Sequence, residues 1–209
     1  MVRKIGRLVG VSLFGASVFA VACSDTVPPA PRAAVLTAIG PGAQASASEC
    51  GLSTQPVIIM GDPDNAQSVD NGAFGVDGVD CTVAQNGTKY TVTTHLSVKS
   101  KGSVTISGNF QPLDKTKPAP QQANTDPVTV VWTQADVGGN FRQTDCTAWY
   151  TADQINPTTS SVLNPFMGVA TGRFWATVFC PRATFVGQQS GHTACQAVGE
   201  FKLENCATQ

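Results

Sequence analysis

Charge is scarce in this 209-residue chain: Asp, Glu, Lys and Arg make up 13% of it, with 13 basic side chains against 14 acidic ones. No basic field is available to hold a phosphate backbone, which excludes nucleic acid as a natural partner. Catalytic signatures are lacking as well. The sequence has no G-x-S-x-G, H-E-x-x-H, P-loop or G-x-G-x-x-G pattern, the arrangements that position a nucleophile, a zinc ion or a nucleotide phosphate. Its two histidines, His95 and His192, lie in different segments, and no C-x-x-C occurs, so neither a metal nor a cofactor is expected. An acidic stretch, Asp62, Asp64, Asn65, Asp70, Asn71, Asp77 and Asp80, lacks the closing Glu of a calcium loop and reads as Asx-rich turns. Helical spacing is missing too: beyond the first 22 residues no long stretch repeats apolar side chains at i, i+3, i+4 and i+7.

What is present begins at the N-terminus. Arg3, Lys4 and Arg7 precede an uncharged apolar run from Leu8 to Ala22, the layout of a signal peptide over residues 1–22. As a helix this run would reach about 22 Å, short of the ~30 Å hydrocarbon core of a bilayer. Ala20-Val21-Ala22 before Cys23 fits A-x-A cleavage and also resembles the bacterial lipobox, with Ala20 where that family usually carries Leu. The lipobox resemblance implies that Cys23 becomes an acylated N-terminus, attached to a membrane by palmitate-type chains. Ser24, in place of the Asp that marks inner-membrane retention in some bacteria, implies the outer membrane. Simple secretion is the alternative. Parity favours the lipid: with Cys23 acylated, Cys50, Cys81, Cys146, Cys180, Cys195 and Cys206 form an even set for three disulfides in an oxidising compartment.

Residues 23–48 are rich in Pro, Ala, Gly and Ser and lack aromatics, so they read as a disordered tether, with Val35, Leu36 and Ile39 able to dock at its inner end. From residue 49 to 209 the pattern has period two. Val79, Cys81 and Val83 alternate with polar residues, Asn86-Gly87 predicts a type I′ turn, and Tyr90, Val92, Thr94, Leu96 and Val98 resume the alternation. Similar runs end in Trp132, Tyr150, Cys180 and Leu203. The expected fold is all-β: an antiparallel two-sheet sandwich of about eight or nine strands, with a closed β-barrel as the alternative. Two connections are long. Gln111 to Pro127, with four prolines, is expected to be mobile, and the apolar Thr151 to Thr171 is expected to pack on a sheet face or an end.

The segments GRFWATVFCP at 172–181 and ACQAVGEFKLENC at 194–206, with Asp145-Cys146-Thr147, resemble uncharacterised exported lipoproteins of myxobacteria. That resemblance implies export and disulfides and no particular activity. Six cysteines allow fifteen pairings; the expected set is Cys180 with Cys195, the most local of the three, Cys146 with Cys206 and Cys50 with Cys81. Trp149, Arg173, Trp175 and Phe179 fall on the polar side of their strands, where aromatic rings could stack on sugars or join a protein interface. The expected function is that of a lipid-anchored envelope protein whose β domain binds a glycan or another envelope protein. A secreted carbohydrate-binding module is the second reading. A hydrolase without a recognised motif is the third.

Overall fold

The computed structural model describes residues 28–52, 57–61, 76–114, 122–150, 168–188 and 191–209. In chain order the elements are β1 (Arg32–Gly40), α1 (Ala47–Cys50), β2 (Val57–Met60), β3 (Val76–Asn86), β4 (Lys89–Val98), β5 (Gly102–Phe110) and β6 (Val128–Gln134). They continue with β7 (Gly139–Trp149), β8 (Gly168–Ala170), β9 (Arg173–Gly187) and β10 (Ala194–Glu204). Period-two alternation carries through to burial: Val79 and Val83, Val92 and Leu96, Val104 and Ile106, Phe174 and Val178 all face one core. Asn86 pairs with Lys89, so Gly87 and Thr88 are the central turn residues. Only Gly87 has positive φ, at 62°. That is the pattern of a type II′ turn rather than the expected I′, which would need positive φ at both.

The expected two-sheet sandwich is not formed. All strands join one antiparallel sheet in the order β2-β1-β10-β9-β7-β6-β5-β4-β3, with β8 added beside the start of β9. The sheet curls into a nearly closed barrel with one unsealed seam, close to the barrel alternative. Curling is visible in single contacts. Trp132 of β6 donates its indole N–H to Thr37 of β1 at 3.0 Å, although four strand spacings, about 19 Å on a flat sheet, separate them. Phe110 of β5 meets Phe174 of β9 edge to face at 4.7 Å. Apolar side chains thus fill the inside while Asp145, Thr147 and Thr184 lie outside, the reverse of a membrane-spanning barrel.

The expected boundary at residue 49 also moves. β1 lies within the stretch read as tether and is an inner strand, paired with β10 from Arg32↔Glu204 to Gly40↔Gln196 and with β2 on its other side. Ala33, Val35 and Ile39 face the core. Ala34, on the opposite face, is buried as well, and Leu36 and Ala38 are half-buried, so the run of Ala, Val, Leu and Ile shows little alternation.

Pro181 interrupts the long strand β9. It cannot donate to the ladder, and opposite it the β9–β10 register shifts between Cys195 and Ala197. On the β7 side the Gln143 side-chain oxygen accepts the Arg182 N–H at 2.8 Å, replacing a lost ladder bond.

Candidate functional site

The six cysteines of the described residues pair as Cys50–Cys195, Cys81–Cys206 and Cys146–Cys180. All three expected pairings are corrected. Register is the reason: β10 places Cys195 opposite Ala183 and Ala197 opposite Cys180, so the two cysteines of this hairpin miss each other. Cys180 instead faces Cys146, in step with the flanking pairs Arg142↔Thr184 and Thr147↔Phe179. Their Cα atoms lie 4.5 Å apart, the spacing of a non-hydrogen-bonded antiparallel pair. Three disulfides fit an exported protein. Among the described residues no helix is long and apolar enough to cross a membrane.

Cys81–Cys206 spans the seam. Beside it Thr82 bridges Ala207 in parallel, the Val83 N–H donates to the Ala207 carbonyl at 2.8 Å, and the Ala207 N–H donates to the Cys81 carbonyl at 2.8 Å. The Gly172 N–H donates to the Val83 carbonyl at 3.2 Å. Edge strand β3 is therefore held along part of its length by the segment that follows β10 and by the β8–β9 turn.

At the other end of the barrel Cys50–Cys195 fixes α1. Arg182 and the Ser46 backbone N–H both hydrogen-bond the Glu49 carboxylate. The Arg182 bond and then the Ser46 donors hold Glu49 at about 2, against an ordinary 4.5. A depressed carboxyl stabilises the fold fully above its unfolded value and loses that contribution as pH falls from about 4.5 to about 2. The Glu49 side chain is expected to titrate by NMR with a midpoint near 2, and Arg182→Met to raise that midpoint; an unchanged midpoint would contradict the pairing. His192 lies in the same knot. Its Nδ1 is 2.7 Å from the Cys50 carbonyl, which can only accept, so Nδ1 carries the proton, and the ring packs on Phe185 and Phe141. His95 is elsewhere, exposed beside Thr105.

The four residues expected to form an aromatic face are on the outer surface but do not form one platform. Trp149 and Phe179 are half-buried diagonal neighbours on β7 and β9, with ring centroids 6.4 Å apart. Arg173 is half-buried at the start of β9. Trp175 is only 5% exposed, with Lys202 Nζ 5.4 Å from its ring centroid and Glu200 3.0 Å from that ammonium. The Glu200–Lys202 pair is buried although it faces away from the core. Sequence reasoning missed it, since Glu200 and Lys202 alternate with Phe201 and Leu203 as ordinary outward positions do. Ile59, 57% exposed, and Val198 extend the outer apolar band beyond Phe179 across β10 and β1 to β2.

Asp62, Asp64, Asn65, Asp70 and Asn71 lie outside the described residues, as do Cys23 and most of the connection from Thr151 to Thr171. Asp77 and Asp80 are exposed on β3. Among the described residues no group of three His, Cys, Asp or Glu is placed to hold a metal ion. The described ends of the connection from Gln111 to Pro127, expected to be mobile, are tied down. The buried Asn124 amide donates to the Asn109 and Asp126 carbonyls and accepts from Tyr150. Burial pushes the Tyr150 phenol above its usual range. No protein family, curated protein or solved structure matches the chain.

Proposed function

We propose that the chain is the precursor of a lipid-anchored envelope protein, acylated on Cys23 and carrying a disulfide-stapled β-barrel that binds a partner through its outer face. The observation that carries the reading is cysteine use: six of the seven cysteines pair with one another, and Cys23 is the seventh. A leader ending in Ala-Val-Ala immediately before that residue supplies the processing step. Two or more acyl chains give stable attachment where a single chain gives only marginal binding. Ser24 supports the outer membrane as the destination. The band of Ile59, Val198, Phe179 and Trp149 supports binding rather than catalysis, because apolar side chains left on a sheet exterior are what an interface uses.

Growth of a producing bacterium on labelled palmitate tests the anchor. The parent protein is expected to take up label and Cys23→Ala to take up none. An unlabelled parent protein would overturn the reading.

A further inference from the structure

Both ends of the described chain lie at one end of the barrel. Arg32 opens β1 opposite Glu204, which closes β10; the Asn205 side chain donates to the Ala30 carbonyl at 3.2 Å; and Cys81–Cys206 ties this corner to β3. A cleft of ≈ 500 Å³ lies there, between Pro28–Pro31 and the residues from Asn205 to Gln209. The β3–β4 turn at Gly87 and Thr88 projects from the same end, since β3 runs on beyond its bridge to Ala207. α1, the turns 99–101 and 135–138, and residues 191–193 occupy the opposite end.

Resting on the proposed acylation of Cys23, we infer that the barrel stands on the bilayer with its Pro28 and Gln209 end against the lipid surface and its α1 end pointing away. Chain length is the reason. Only residues 24–27 separate Cys23 from Pro28, which lies at this end, and a chain can span at most ~3.3–3.6 Å per residue, so the anchor lies within about 18 Å of Pro28 whatever the conformation between them. Strands of nine to eleven residues such as β1, β3 and β10 are roughly 30–36 Å long, more than that reach, so the anchor stays nearer to this end than to the α1 end. β1 itself is held firmly, because it is an inner strand paired along its whole length with β10. At the near end the exposed residues Pro28, Pro29, Gln85, Asn86, Thr88, Thr208 and Gln209 have uncharged side chains, Lys89, Asp126, Arg173 and Glu204 are half-buried, and Arg32 is an exposed cation, a charge that anionic headgroups accommodate. The apolar band then runs around the side of the barrel from β7 to β2, where it faces a partner lying along the membrane.

The acylated full-length protein, purified from a producing bacterium, is incorporated in vesicles of phosphatidylethanolamine and phosphatidylglycerol carrying a headgroup quencher. A fluorophore is placed at Thr88 or Thr208 and, in separate samples, at Ser48 or Asp136, all of them exposed positions. Quenching is expected to be several-fold stronger at Thr88 and Thr208. Equal or reversed quenching in protein that floats with the vesicles would overturn the orientation and leave the anchor standing. Protein that does not float would remove the anchor, and the orientation with it.

Discussion

Replacing Cys81 and Cys206 together by alanine is expected to lower the stability of the domain by about 2–5 kcal/mol in urea. The bridge joins residues 125 positions apart, so the reduced unfolded chain regains much of its freedom. It is also the one covalent tie among the described residues between edge strand β3 and the segment after β10. Loss should therefore be felt locally before it is felt globally. Amide exchange at Val83 and Ala207, whose N–H groups cross the seam, is expected to speed up more than exchange in the middle of β9 or β10. Removing Cys146–Cys180 offers the comparison: it links strands already neighbours in the sheet, so the seam amides should keep their protection. Unchanged exchange at Val83 and Ala207 in the first variant would show that the seam is held by something else.

The second large effect is expected at Trp132. Its side chain is 1% exposed, and truncation to alanine empties a site at the centre of the barrel, at a cost of about 3–5 kcal/mol. Trp132→Phe keeps most of the ring and loses the bond to Thr37, for about 1–3 kcal/mol. Thr37 retains its own bond to the Val198 carbonyl at 3.0 Å, so its hydroxyl is not orphaned. A double-mutant cycle with Thr37→Val measures the contact itself. Coupling of about 0.5–3 kcal/mol is expected for touching residues, whereas simple additivity would mean that the two walls of the barrel do not meet there.

Strand identity was legible where one face of a strand meets water. Val92, Thr94 and Leu96 alternate with exposed neighbours, and a period of two then has a single meaning. Closure was not legible, because inward-facing residues have the same pattern in a sandwich and a barrel; only long-range pairs such as Trp132 with Thr37 separate the two. β1 was hidden for a different reason. Its Ala33, Ala34 and Val35 are buried on successive positions, so alternation is erased and its composition resembles a linker. The disulfides could not be read from spacing, since register decides them: a shift at Cys195 moves it away from Cys180, and Cys81 reaches Cys206 only because the sheet curls. At the outer face, Trp149, Arg173, Trp175 and Phe179 take the outward positions of their strands, but the burial of Trp175 and of the Glu200–Lys202 pair is not legible in the alternation, in which they are ordinary outward positions.

Intact-mass analysis of the protein taken from its native membrane tests the central proposal most directly, because processing, acylation and oxidation each change the mass in a distinct way. The expected species begins at Cys23, carries the added mass of glyceride and acyl chains, and lacks the thiol hydrogens of Cys50, Cys81, Cys146, Cys180, Cys195 and Cys206. A polypeptide that retains residues 1–22, or one that begins at Cys23 with no acyl mass, would contradict it.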